Sequence, residues 1–384
     1  MKQEAISYLT TLKDTITGIS KYIYNNPEES YHEYKSCSYI CNILKENKFN
    51  VKEKYLDIDT AFYAQYGNGY PKICLLCEYD ALLPEGHING HNAVSAISVG
   101  AALGLTKAID KLGGSIIVLG CPGEYIGGAK VTMAKQGTFK DIDLAMMVHP
   151  DVKTCQSGTS RAILPLSVKF KGSSGFTYLS SNNHSPMDAC IFILNSINTL
   201  LKCSQDNLRI DSILSNGGYT PSLPSDVCEI KLYIRADKYS NAETIEKHIR
   251  NLSDLTANIM KLDCSHSIYE LPYLEMHTND TLSRLFGHNL KEIGIIDCCG
   301  IKNTESGLSI GNVSKLIPTI HPYVRVTEED NIQYGTKQFA DATISSYADE
   351  AIISSANALI LTAIDLLEKR NLIDEIKSEF YKSK

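Results

Sequence analysis

Apolar residues recur at three- and four-residue spacing through residues 3–25 and again through 33–48, which predicts two helices parted by Asn26, Pro27 and Glu28. Residues 50–66 alternate weakly and predict strands. Then the pattern turns blocky. Residues 72–77 (KICLLC), 115–121 (SIIVLGC) and 143–149 (DLAMMVH) are apolar without alternation, as strands buried on both faces are. Helical stretches at 92–109 and 129–136 fall between them. Strand, helix, strand, helix, strand predicts a parallel sheet with crossover helices.

Beyond residue 160 the texture changes. Residues 162–171 and 228–236 (CEIKLYIRA) alternate cleanly, 210–214 is a shorter strand, and 186–201 and 242–262 are helical. Half-exposed strands with two helices predict a compact α+β unit. From about 280 the α/β alternation resumes and ends in a long helix near 349–369. The expected architecture is α/β: a mostly parallel-sheet domain of residues 1–160 and 276–384, interrupted by an inserted α+β domain of residues 161–275.

A chain of 384 residues fits two domains. Its net charge of −7 and lack of Lys/Arg clusters exclude a general phosphate-binding surface, so no nucleic-acid partner is expected. The N-terminus carries charges and hydroxyls where a signal peptide has an apolar core. No apolar run is read as reaching the roughly 18–20 residues that span a bilayer. The stretches around 93–105 and 356–367 read as buried helices, and a cytoplasmic location without a membrane partner is expected. The 12 cysteines are scattered singly through apolar stretches, so reduced, mostly buried thiols are expected.

Three predicted strands end in polar clusters, and ligands of parallel sheets bind just beyond the carboxyl ends of strands. The first cluster is Glu78-Tyr79-Asp80 followed by GHINGHN, with His87, Asn89, His91 and Asn92. The second is CPGEY, with Cys121, Glu124 and Tyr125. The third is Val148-His149-Pro150. Each alone is an ordinary loop; at three successive strand ends they predict one cleft. Cys121 ends a buried strand, which favours a packing role over a nucleophile.

The stretch CEYDALLPEGHINGHNAVSAISVGAALGL resembles the aminoacylase and dipeptidase metallopeptidases, a family that includes aminobenzoyl-glutamate hydrolases and auxin-conjugate hydrolases. LGCPGEYIGGAK, FKDIDLAMMVHP, NGGYTPSLPSD, LYIRA and IGNVSKLIPTIHPY resemble further blocks in the family's order, over nearly the whole chain. The resemblance implies a catalytic α/β domain that binds two zinc ions, and an inserted domain used as a lid and for homodimerisation. Its ligand positions are only partly kept. Asn89 stands where the family has Cys, Tyr125 where it has the second Glu, and Gly335 where the last His belongs, while His91 and His149 remain. Glu124 matches the family's general base, and Asp80 and His87 match its supporting residues. Phe176 replaces the His that stabilises the oxyanion, and Ser222 the substrate-binding Asn. Arg235, Ser309 and His321 complete the expected pocket.

Asn offers a neutral carbonyl, Tyr a phenol protonated near neutrality, and Gly nothing, so a two-zinc site is not expected. The expectation is no bound cofactor, or at most one weakly held divalent metal such as zinc, with His91 and His149 as residual candidates. The expected function is an amidohydrolase-fold enzyme acting on a small amide or amino-acid-derived substrate, with Glu124 as general acid/base assisted by Asp80. Two alternatives stand beside it: an inactive relative that binds a small ligand or regulates a partner, and a conventional metal-dependent dipeptidase or aminoacylase with unusual ligands.

Overall fold

A computed structural model describes residues 1–173, 176, 184–202, 207–218 and 220–382. Two units emerge from it. The larger comprises Met1–Thr159, Met276–Thr304 and Asn312–Lys384, and the smaller comprises Ser160–Glu275 and Glu305–Gly311. Residues Glu305–Gly311, which the sequence reading assigns to the larger domain, belong to the smaller unit.

The larger unit is built on a six-stranded sheet. From edge to edge it runs Asn50–Glu53, Phe62–Tyr66, Ser115–Gly120, Lys72–Cys77, Leu144–Met146 and Thr319–Ile320. The last four are mutually parallel, and the first two are joined on through antiparallel pairings. Ser115–Gly120 is buried along its whole length and Lys72–Cys77 from its second residue, which is why neither alternates in sequence. The apolar stretch expected at 143–149 is two short strands, Leu144–Met146 and His149–Asp151. The second leaves the main sheet to pair with Tyr323–Arg325. The first predicted helix is likewise two, Lys2–Thr11 and Lys13–Asn25, because Leu12 leaves helical geometry between them.

The helices His91–Leu112 and Ser346–Glu368 are long and apolar enough to cross a membrane by length and composition, contrary to the sequence reading. Both are mostly buried inside the unit, where they pack against each other and cover the sheet, so their apolar character is used by the core.

The cysteine expectation also needs correction. Cys155 and Cys299, 144 residues apart in sequence, form a disulfide. The Cys299 N–H donates to the Thr154 carbonyl and the Gln156 N–H to the Gly300 carbonyl, so the bond ties segments that already lie together. Among the described residues the other cysteines are free, and most are buried.

The smaller unit is a four-stranded antiparallel sheet in the order Asp263–Ile268, Ala162–Lys171, Val227–Ala236, Arg209–Asn216. Its helices Pro186–Lys202 and Tyr239–Met260 pack on the face formed by Leu166, Val168, Phe170, Ile230, Leu232 and Ile234. Alternate residues of Val227–Ala236 are buried, as the sequence alternation requires.

Candidate active site

The polar residues gather beyond the carboxyl ends of the parallel strands of the larger unit. Lys72–Cys77 delivers Glu78 and Asp80, Ser115–Gly120 delivers Glu124 and Tyr125, Leu144–Met146 leads to His149, and Thr319–Ile320 leads to His321. His91 opens the long helix behind them. Gly90 before it has a φ of +77°, and a side chain there would strike Pro150, so glycine allows the His91 turn to lie against the His149 strand.

Charge pairing defines the centre. His91 Nδ1 lies 2.7 Å from Asp80 Oδ1, and its Nε2 is 3.4 Å from Glu78 Oε2. Asp80 Oδ2 accepts the Ser30 hydroxyl at 2.7 Å and the Tyr125 N–H at 3.2 Å. Burial works to push the His91 imidazolium down, but Asp80, then Glu78 and Glu124, outweigh it and raise it to about 9. Lys130 is fully buried, and its ammonium lies 2.6 Å from both Glu78 Oε1 and Glu124 Oε1. Burial would raise the Glu78 carboxyl, yet Lys130 and His91 hold it at about 2. Burial also works against the charged form of Lys130, and the two carboxylates reverse it and shift it upward.

His149 and His321 are different. Burial lowers His149 to about 4 and His321 well below its ordinary value, so both rings are neutral near pH 7. His149 Nδ1 is 2.9 Å from the Pro150 carbonyl. Its ring centroid lies 5.9 Å from that of His91 and 5.2 Å from that of His321. Neither nitrogen of buried His321 has a hydrogen-bond partner among the described residues. Tyr323 and the exposed Tyr334 flank these rings.

Of the residues expected in the site, Asp80, His91, Glu124, Tyr125, His149 and His321 come together. His87 turns its Nε2 to the Ile23 carbonyl at 3.1 Å and braces the helix Lys13–Asn25. Asn89 is half-buried in the turn before His91. Cys121 is buried, with its Sγ 3.2 Å from the Leu119 carbonyl, and burial pushes its thiol well above the usual range, which removes the nucleophile reading. Phe176, Ser222, Arg235 and Ser309 belong to the smaller unit. There Phe176 and Ser222 are exposed, Ser309 is buried, and Arg235 Nε donates to Asp211 at 2.7 Å.

Sequence reasoning passes over Lys130. It names Glu78 within the first polar cluster but gives it no role in the site. Lys130 has a usable signal: a lysine at a core-facing position of the helix Ala129–Lys135, beside buried Ala129, Val131 and Met133. The segment around residue 30 is also missed. Tyr31 lies so close to Gly123 (φ +82°) that a side chain there would clash with the ring, and its hydroxyl donates to the Gly127 carbonyl. Glu33 accepts the N–H groups of Tyr31 and Gly123 and the Thr60 hydroxyl. This segment therefore pins the loop that carries Glu124.

Burial, then Asp80, raises the Glu33 carboxyl to about 7. A folded-state value above the ordinary one means that the folded chain holds this proton more tightly than the unfolded chain. Glu33 then costs stability as pH rises from about 4.5 to about 7. Gln can accept the same two N–H groups and donate to Thr60. Between pH 4.5 and pH 8, Glu33→Gln is expected to gain about 3 kcal/mol relative to the parent chain, read from paired denaturant melts. An unchanged difference across that range would contradict the assignment.

Fit to a metal depends on the donor set. One donor atom from each of Glu78, His91 and His149 lies within 4.8 Å of the others, and all three residues are buried. Asp80 and the Pro150 carbonyl hold the two rings by Nδ1, which leaves Nε2 as the ligand atom, the arrangement found around metal-bound imidazoles. One divalent ion fits this set. Among the described residues a pair does not: Asn89 is neutral, burial raises the Tyr125 phenol, and Glu124 is paired with Lys130. Glu78 thus joins the residual candidates His91 and His149.

No family model matches the chain. Over 400 residues, covering 99% of this chain and 92% of the relative, it is 26% identical to the Xaa-Arg dipeptidase of Mus musculus. It is 28% identical over 260 residues to a subunit of the p-aminobenzoyl-glutamate hydrolase of Escherichia coli, covering 62% of this chain and 54% of that one. Among solved structures, the aminobenzoyl-glutamate utilization protein of Klebsiella pneumoniae superposes with a TM-score of 0.73 at 13% identity, covering 94% of this chain and 97% of that one. A dinuclear metal-binding M20 peptidase of Bacillus subtilis gives 0.69 at 15% identity, covering 94% and 99%. The chain is a homologue of these dipeptidases and amidohydrolases and has the fold of the M20 peptidases.

Proposed function

We propose that the chain is a hydrolase of small amides of amino acids that works with one divalent ion at Glu78, His91 and His149, with the buried Lys130 ammonium as a second, built-in cation. The observation that carries this reading is the convergence of those three donors beside a lysine paired with Glu78 and Glu124. A divalent ion held there supplies Lewis acidity toward an amide carbonyl. Glu124 is the proton acceptor, a carboxylate at the edge of the cluster with a side chain 10% exposed. Lys130 offsets the negative charge of both carboxylates, and Asp80 fixes the His91 ring. His321, neutral and without a hydrogen-bond partner among the described residues, offers one donor and one acceptor to a polar substrate. The substrate class follows from the names of the relatives, which specify a dipeptide and an aminobenzoyl-glutamate.

A second reading is favoured by the same lysine. With Glu78 already neutralised, the cluster is charge-satisfied without any ion, as in a ligand-binding relative that no longer turns over. One experiment separates the two. The purified chain is expected to hold one zinc-class ion that depends on Glu78, to hydrolyse members of a panel of dipeptides and N-acyl amino acids, and to lose both that ion and its activity on chelation. Glu78→Gln is expected to lower the ion content by about one per chain. Loss of two ions per chain in Glu78→Gln would overturn the proposal, and absence of both turnover and a Glu78-dependent ion would leave the ligand-binding reading in its place.

A further inference from the structure

The smaller unit contains a second convergence of donors, remote in kind from the first because it includes a thiol. Among the described residues the strand Asp263–Ile268 lies at the edge of its sheet and pairs only with Ala162–Lys171. In that pairing Cys264 is opposite Phe170 and His266 is opposite Val168. Facing residues of an antiparallel pair point to the same side. Phe170 and Val168 are fully buried in the core under the helices, so Cys264 and His266 both point to the helix side. Asp254, on the helix Tyr239–Met260, meets them there.

The geometry is close. Cys264 Sγ is 3.4 Å from His266 Nε2, and the same nitrogen is 3.8 Å from Asp254 Oδ1. One donor atom from each of the three lies within 4.8 Å of the others. Arg250, one helical turn before Asp254, is paired with Glu246, so its charge is already compensated. His266 is largely covered while Asp254 is open to solvent, with side-chain exposures of 10% and 58%. An ion therefore has an entry path on one side and a water position to complete four-coordination.

We infer that Asp254, Cys264 and His266 form a binding site for a single divalent ion of the zinc class. Thiolate and imidazole select such an ion over magnesium or calcium, which prefer all-oxygen sites. Binding replaces the thiol proton by the metal: the S–H bond breaks, the sulfur electron pair is donated to the ion, and the proton leaves to solvent. Without an ion, burial pushes the Cys264 thiol up to about 12, so it stays protonated and unreactive. The bound ion clips the edge strand to the helix, and an otherwise open sheet edge becomes fixed.

The test is a cobalt(II) titration of the full-length, chelator-treated chain, followed by absorbance. Thiolate-to-cobalt charge transfer distinguishes this site from the cluster of Glu78, His91 and His149, which has no sulfur, and Cys264→Ser distinguishes it from the other cysteines. Two equivalents of cobalt, one for each cluster, are expected to complete the band in the parent chain and one equivalent in Glu78→Gln, and added zinc to bleach it. The band is expected to persist in Glu78→Gln, to vanish in Cys264→Ser, and to need at least tenfold more cobalt in Asp254→Ala. The last variant keeps the thiol and tests the site should Cys264→Ser fold poorly. No band in the parent chain, a band that survives Cys264→Ser, or an Asp254→Ala titration identical to the parent would overturn the inference.

Discussion

Lys130→Met is expected to destabilise the larger unit by about 3–5 kcal/mol, the usual cost of removing one partner from a buried ion pair. The ammonium is fully buried and lies 2.6 Å from two carboxylates. Methionine keeps the unbranched stem but leaves Glu78 and Glu124 facing each other with no cation between them. Denaturant unfolding should show a lower midpoint with an unchanged slope, because the surface exposed on unfolding is the same. The same variant tests the idea that lysine occupies a metal's electrostatic role. Added zinc should recover more stability in Lys130→Met than in the parent chain, since an ion that binds only the folded state stabilises it by mass action. Equal response to zinc in the two chains would mean that the lysine is merely structural.

Glu124→Gln is expected to lower kcat by about 10²–10⁴-fold, the range for loss of a positioned proton acceptor. Gln keeps the size of the side chain and can still offer its carbonyl to Lys130, so the fold and the ion content should hold. That split distinguishes Glu124 from Glu78, whose replacement is expected to empty the ion site. If Glu124→Gln turned over at the parent rate with its metal intact, the acid/base assignment would fail even though the amidohydrolase reading could stand.

Much of this architecture is legible in the chain. Three non-alternating apolar blocks imply a buried parallel sheet, and the polar residues that follow each block mark where its strand ends converge. The departures have identifiable causes. Leu12 breaks the first helix without glycine or proline, because its apolar side chain fits the helical period while its backbone does not. His149 lies on a strand of its own because the chain leaves the main sheet to pair with Tyr323–Arg325, a long-range choice with no local signal. The Cys155–Cys299 pairing depends on two segments 144 residues apart becoming neighbours. Asp80, His91, Glu124 and His149 are found because histidines and carboxylates at strand ends are conspicuous. Lys130 is missed because a buried cation is invisible to patterns that treat every lysine as a surface residue, and only its two partners explain it.

The residues of the cluster come from widely separated parts of the chain: Ser30 and Glu33 hold its loops, Glu78 to Lys130 form its centre, and His321 closes it. During synthesis at roughly 5–20 residues per second, the stretch through Lys130 emerges with its carboxylates and His91 but without His149 or His321. The whole of Ser160–Glu275 must then be made before His321 appears. A nascent or truncated chain ending before His149 has only two of the three donors, so the metal capture and hydrolysis proposed above would be late properties of the molecule, acquired after much of its length has been committed to the fold.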